Sequence, residues 1–355
     1  MTGAMYAAIA GLRTHMNKMN VIGNNIANVN TNGYKSQRTI FKDAMYTTYS
    51  QGSDGSATNG GKNPSQIGYG SKISSIDLDM HTGTYTLGRA TDCMIYGDGF
   101  FMVGDKNAAE MMDPNKPDAL KGALSLTRVG DFEFKSDGYL CDGSGRPVYG
   151  FMNSGVDPAT GKPVISDQLV PLRLPKFAGG EIRYPAPDPA NKNHLVDYKD
   201  PSAVEVPFAQ LDSISINPDT GAITGTSKET PDLITIGYLA IGNVTNPAGV
   251  THTDGFYYQA RDGAGDLTVS MLGGVGEKLG IERVNGSVDG SVENQKLAIG
   301  KAGGTNLITG GLEGSNVDLA TEISEMITAQ RGYQANTRII TVTDSMLEEL
   351  VNIKR

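Results

Sequence analysis

The stretch MTGAMYAAIAGLRTHMNKMNVIGNNIANVNTNGYK, residues 1–35, passes from a helical pattern into a cluster of asparagines. Its apolar residues Met5, Ile9, Leu12, Met16, Met19 and Ile26 are spaced by steps of 4, 3, 4, 3 and 7, with Gly23 in the missing place. That spacing predicts a helix carrying a narrow apolar stripe of the heptad type. Asn24, Asn25, Asn28, Asn30 and Asn32 then follow within nine positions. A carboxamide competes for nearby backbone groups, so the helix is expected to stop near Asn24–Asn28 and turn. Gly33 adds a position where positive φ costs little.

The far end of the chain repeats the pattern. Leu319, Ile323, Met326, Tyr333, Ile340, Leu347 and Val351 fit a second 4–3 ladder, interrupted by Gln330, Thr337 and Asp344. This helix is expected to open near Asn316 and to run to the last residue. Asp318 and Glu322 suit its first turn, and Lys354 and Arg355 suit its end. Residues 1–40 carry four basic side chains and no acidic one, whereas residues 312–355 carry seven acidic against four basic. A lone amphipathic stripe most often packs on its own domain's core. Two narrow stripes of opposite charge balance point instead to paired termini, within a subunit or between subunits.

Between these ends the chain changes character. All 16 prolines fall between Pro64 and Pro247, and nine of them crowd between Pro158 and Pro207. Proline breaks helix interiors, so the ends are free to be helical and the middle is not. FEFKSDGYLCDGSGRPVYGF (132–151) reads as strand, Asp-Gly turn, strand, Gly-rich turn, strand. LDSISINPDTGAITGT (211–226) reads as a hairpin, and LITIGYLAIGNV (233–244) is apolar enough for a buried strand pair. Residues 43–70 are rich in Gly, Ser and Asn, as a linker or extended arm is, and 285–316 look like its counterpart on the returning chain. The fold class expected is α+β and multidomain. Paired, coiled-coil-like terminal helices form one domain, and mainly antiparallel β domains form the rest. The divisions expected are 1–28 with 317–355, helical; 29–70 with 304–316, linker; 71–151 with 211–303, the first β domain; and 152–210, an inserted β/loop domain.

Bulk properties narrow the function. In a chain of 355 residues, 46 glycines and no tryptophan suit turn-rich β structure. A net charge of −9 argues against nucleic acid as a partner. No apolar run is long enough to span a membrane, and the first 20 residues lack the pattern of a cleaved secretory signal. Cys93 and Cys141 fit either one disulfide or two buried thiols, and the thiols are the simpler reading.

A search for chemistry finds no catalytic constellation. His15, His81, His194 and His252 form no metal-ligand spacing with one another or with the cysteines, and His15 is expected on a solvated helix face. GDGF (97–100) and CDGSGR (141–146) lack the continuation of a calcium loop and read as hairpin turns. GGVGEKLG (273–280) lacks the Lys-Ser/Thr of a phosphate loop. NVT at Asn243 and NGS at Asn285 match the glycosylation sequon, which carries little meaning without a eukaryotic secretory setting. No cofactor, metal or catalytic residue is expected, and the chain is not read as an enzyme.

At this point the residues carry a resemblance. NNIANVNTNGYK (24–35) resembles the N-terminal signature of bacterial flagellar axial proteins, the rod and hook family. Asn24, Asn25, Ile26, Ala27, Asn28, Thr31, Gly33, Tyr34 and Lys35 stand where that pattern has them. ATDCMIYGDGFFMV (90–103) is similar to the family's entry into its first outer β domain, with Cys93 and Tyr96 replacing an aliphatic and an acidic residue. Residues 126–151 and 312–355 resemble two further family segments, the last of them closely.

The resemblance implies an inner domain of terminal helices lining a narrow tube, outward β domains and helical polymerisation. It implies self-assembly through Ile9, Leu12, Met16, Met19, Ile26, Leu319, Ile323, Met326, Tyr333, Ile340 and Leu347. It also implies that the carboxamides fix a joint at the turn, and that the chain leaves the cell uncleaved through a dedicated export apparatus. Rod and hook–filament junction proteins and a hook cap are the implied partners. The Pro-rich insertion at 152–210 favours a hook subunit, a curved joint outside the cell, over a distal rod subunit. A trimeric surface adhesin is the alternative from another class.

Overall fold

The computed structural model describes residues 2–55, 60–105, 122–156, 163–166, 169–187, 195–196, 206–228, 233–272, 282–283, 300–301 and 305–353. These fall into two compact units, one built from 1–30, 35–79 and 317–355, the other from 31–34 and 80–316.

The first unit holds two helices, α1 (Thr2–Ala27) and α2 (Leu319–Ile353), and a long β arm. α1 ends where the asparagines begin to bond the backbone. The Asn28 N–H donates to the carbonyls of Asn24 and Asn25, and the Val29 N–H to that of Ile26. α2 opens two residues later than Asn316, because Asp318 is the cap. Its carboxylate accepts the Ala320 N–H at 3.1 Å and the Thr321 hydroxyl at 2.6 Å, and its carbonyl accepts the Glu322 N–H. Lys354 and Arg355, expected at the helix end, lie outside the described residues.

The stretch expected to be a linker or arm is a two-stranded ribbon. β1 (Gln37–Asp43) pairs antiparallel with β4 (Ser71–Leu78), and β2 (Tyr46–Ser50) continues that pairing with β3 (Ser65–Gly68). At its base the ribbon meets α1. Gly70 has φ +102°, and a Cβ there would lie 3.0 Å from the Ala7 carbonyl oxygen and from Ala10 Cβ, so only glycine fits.

The second unit is a β body around one core. Its central strand is Leu233–Val244, a single strand of 12 residues where the sequence suggested a pair. Gly237 does not break it, because a Cβ there would strike the Phe151 carbonyl at 2.8 Å; the glycine lets the neighbouring strand close in. That strand pairs with Phe100–Gly104, Tyr149–Val156, Ala222–Ser227 and Leu267–Met271, all antiparallel. Phe101, Phe132, Met152, Ile223, Ile236 and Leu239 fill the core, with Phe101 and Phe132 edge to face at 4.9 Å. The expected hairpins at 132–151 and 211–226 are both present. Strands Asn306–Thr309 and Gly311–Glu313 pair with Cys93–Tyr96 and Tyr85–Leu87, so residues 306–313 are β structure where a linker was expected. The segment 152–210 is not set apart at its ends. Ile165, Leu169, Val170, Leu172 and Ala209 are buried in the body. GGVGEKLG (273–280) and Asn285 lie outside the described residues.

Candidate self-assembly surface

α1 and α2 pack side by side and antiparallel. A Cβ on Gly11 would meet the Asn336 amide at 2.7 Å, and one on Gly332 would meet the His15 ring at 2.6 Å. Further along, Lys18 Nζ reaches Glu325 Oε2 at 3.0 Å, and Asn25 Nδ2 donates to Glu322 Oε1 at 2.9 Å. Among the buried residues, Ala8, Gly11, Thr14, Val21, Ile22 and Asn25 on α1 and Ala329 and Thr343 on α2, small and polar side chains predominate, and Thr14 faces the ribbon at Ser71. Glycine and alanine let the two backbones approach closely, which large side chains would prevent.

The apolar ladders therefore lie only partly inside. Ile9, Leu12, Met19 and Ile26 are half-buried and Met16 is exposed. On α2, Met326, Tyr333 and Ile340 are half-buried against α1, whereas Leu319, Ile323 and Leu347 are exposed. Sequence reasoning missed Ile327 and a second row, Ile339, Val342, Met346, Leu350 and Ile353, all exposed. The signal was present in their 3–4–4–3 spacing. The register also leaves an overhang. With Gly11 level with Asn336, Thr2 stands near Ser345, so residues 346–353 run past the start of α1. The long helix thus presents two separate apolar rows, around Ile323–Ile327 and over Ile339–Ile353, that its own unit does not cover.

In the signature turn the Asn25 carboxamide links three elements. Asn25 is 1% exposed, its Nδ2 donates to the Gln37 carbonyl at 2.9 Å, and its Oδ1 accepts the Gln37 N–H at 3.0 Å. It pairs with Gln37 as a strand neighbour would, and its second amide hydrogen reaches Glu322. One side chain so ties the end of α1, the start of β1 and the first turn of α2. Asn28 Nδ2 donates to the Asn24 carbonyl and side chain. Gly33 has φ +69° and is buried, and a Cβ there would lie 2.6 Å from Val129. Of the other signature residues, Lys35 is buried, Thr31 and Tyr34 are half-buried and Ala27 is exposed.

Asn25→Ala is expected to cost the first unit about 2–4 kcal/mol, because three hydrogen bonds are lost and the Gln37 peptide is orphaned. Asn25→Asp is expected to do worse at pH 7, placing a carboxylate against Glu322. Thermal unfolding would check both, and an unchanged midpoint would show that water replaces the carboxamide.

His15 is not on a solvated face. It sits half-buried against Gly332 and edge to face with Phe41 at 6.0 Å, and among the described residues its buried Nδ1 has no hydrogen-bond partner. Position 15 falls on the contact line because that line runs one residue back from the apolar ladder. Burial, and then the Lys18 charge, hold its pKa below the usual histidine value. A histidine depressed in the folded state stabilises fully above its unfolded pKa and loses that contribution as pH falls. Melting of the helix pair is thus expected to drop from pH 7 toward pH 5. His15→Gln should flatten that slope; an equal slope in the variant would assign it elsewhere. Glu322 acts oppositely and lower, since burial raises its carboxyl.

The remaining chemical candidates have structural roles. Asp142 Oδ1 accepts the Ser144 and Arg146 N–H groups and Oδ2 the Tyr257 hydroxyl, which makes CDGSGR a hairpin turn. Cys93 and Cys141 are buried thiols not joined in a disulfide, and burial pushes the Cys93 pKa far up. Among the described residues no cluster of metal-ligating side chains occurs, and no helix is long and apolar enough to cross a membrane.

Comparison with known proteins adds a lineage to this geometry. Residues 5–35 match the family model described as flagella basal body rod protein, and residues 308–353 match flagellar basal body rod FlgEFG protein C-terminal. The chain is 32% identical over 359 positions to flagellar basal-body rod protein FlgG of Bacillus subtilis, with 100% of both chains covered. It is 26% identical over 462 positions to flagellar hook protein FlgE of Borreliella burgdorferi, again over 100% of both. It is 27% identical over 352 positions to FlgG of Buchnera aphidicola, with 99% of each covered.

Proposed function

Since the chain belongs to the bacterial flagellar rod and hook family, we propose that it is a structural subunit of the flagellar hook. It polymerises helically into a curved tube that carries torque from rod to filament. The observation that carries this reading is the apolar surface that α2 leaves open in two rows. Ile323 is 50% exposed and Val342 52%, in a helix whose other side is already paired. A soluble monomer gains nothing from such a face, whereas copies stacked along a tube bury it. The turn residues Asn24, Asn25, Asn28 and Gly33 set the joint between that helix pair and the arm.

Hook over distal rod rests on the Pro-rich segment between strands Tyr149–Val156 and Leu233–Val244, which pair directly with one another. One observation favours the distal rod instead. The FlgG relatives align over 359 and 352 positions, close to this chain's 355, while the FlgE relative needs 462 and so carries segments this chain lacks. In either place the partners are other copies of the chain, rod and hook–filament junction proteins, a hook cap and the export apparatus. The protein acts as a structural element outside the cell, not as an enzyme.

Gold-labelled antibody to residues 152–210, viewed by electron microscopy on intact cells, separates these readings. Label on a short curved tube outside the envelope is the expected result. Label found only on purified basal bodies, below the hook, assigns the chain to the rod. Label over the whole cell surface would overturn the axial reading.

A further inference from the structure

We propose that the overhanging end of α2 in one copy lies antiparallel on the open stripe of α1 in the next copy, registered by ion pairs from Arg13 to Glu348 and Glu349. The proposal rests on the self-assembly reading and names the contact that assembly uses.

The overhang is apolar and uncovered. Met346, Leu347, Leu350, Val351 and Ile353 are all exposed, and the register places them beyond the start of their own α1. The stripe they would cover is that of Ile9, Leu12, Met16 and Met19, half-buried or exposed.

Charge selects the partner. α1 carries only two charged side chains, Arg13 and Lys18, and Lys18 is engaged by Glu325. Arg13 is exposed, and among the described residues it has no ion-pair partner. At the end of α2, Asp344, Glu348 and Glu349 are exposed and likewise unmatched among the described residues. The match cannot be made within one copy. Arg13 stands level with a residue near 334, and fourteen further residues of helix put Glu348 roughly 20 Å away along the axis.

The heptads agree with this register. Arg13 directly follows Leu12 in its ladder, and Glu348 directly follows Leu347 in the other. When two such ladders pack antiparallel, the positions following the paired apolar residues flank the same side of the seam, where interhelical charges pair. Polarity agrees as well. α2 is antiparallel to its own α1, so it is antiparallel to α1 of every copy stacked in the same orientation. The contact joins different surfaces on the two copies, and it repeats without closing, as an open filament requires.

The test uses the full chain. Arg13→Glu is expected to raise the concentration needed for fibres roughly tenfold or more, with the monomer's melting unchanged. Adding Glu348→Arg and Glu349→Arg to that chain is expected to restore assembly. Separately, a Leu12→Cys chain mixed with a Leu347→Cys chain should form disulfide-linked heterodimers in fibres, the native thiols being buried. Fibres that tolerate Arg13→Glu, a triple variant that stays monomeric, or mixed fibres without the cross-link would each overturn this contact. An unaltered chain that forms no fibres would overturn the self-assembly reading with it.

Discussion

Glu313→Ala is expected to destabilise the β body by about 3–5 kcal/mol, the usual cost of breaking a buried ion pair. Glu313 is 0% exposed and Arg128 1%, and their charged groups lie 3.8 Å apart. Glu313 Oε1 accepts the Gly83 N–H at 2.9 Å, and its main-chain oxygen accepts the Gly33 N–H at 2.7 Å. Arg128 stacks over the Phe100 ring at 5.3 Å and donates to the Ile95 carbonyl at 3.4 Å. Burial lowers the pKa of Arg128, and the Glu313 charge opposes that shift. Without the carboxylate, the guanidinium stays desolvated and the Gly83 N–H loses its acceptor. Glu313→Gln keeps an acceptor for Gly83 and should lose less. Replacing both partners, Arg128→Met with Glu313→Leu, should recover much of the loss, because no charge is then stranded. Urea unfolding followed by tyrosine fluorescence would measure all three. A loss below about 1 kcal/mol for Glu313→Ala would mean that water reaches Arg128.

That ion pair was hidden in the sequence, and the reason is general. Arg128 and Glu313 lie on segments far apart in the chain, and nothing local in either names the other. The same holds for strands 306–313, whose partners at 85–96 lie more than 200 positions away. Local signals fared better. Proline-free ends gave helices, Asp-Gly and Pro-Asp-Thr-Gly gave turns, and the asparagine cluster marked the end of α1 within a residue or two. The helix phase was half legible. Large apolar residues are the ones expected inside, yet the α1–α2 contact uses Ala8, Gly11, Gly332 and Ala329 and leaves Met16 and Ile323 outward. Periodicity detects a stripe but does not say which neighbour covers it. Here the small residues one step away meet the chain's own helix, and the large ones face outward. The Asn25 carboxamide shows the same limit. Its competition for backbone was expected, but its acceptor and donor at Gln37 and its reach to Glu322 emerge only from the fold.

Ile323→Asp is expected to abolish polymerisation while leaving the monomer's melting within about 0.5 kcal/mol of the unaltered chain. Met326→Asp is expected to lower both. The two residues are three apart on one helix, but Ile323 is half exposed and Met326 lies half-buried toward α1. A carboxylate at 323 stays hydrated in the monomer. In a polymer contact it is stripped of water without a partner, at a cost of several kcal/mol. Each 1.4 kcal/mol is about tenfold in association, so a 4 kcal/mol penalty raises the assembly concentration roughly a thousandfold. Val342→Asp, on the second exposed row, should behave like Ile323→Asp. At 326 the carboxylate instead enters the helix pair and costs about 2–4 kcal/mol before any copy meets another. Sedimentation would report assembly, and helix melting followed by circular dichroism would report the monomer. If Ile323→Asp chains formed fibres at the usual concentration, the open face of α2 would not be an assembly contact. If they melted as early as Met326→Asp chains, the face would be packed within the monomer, and the division between an inner seam for the chain and an outer face for its neighbours would fail.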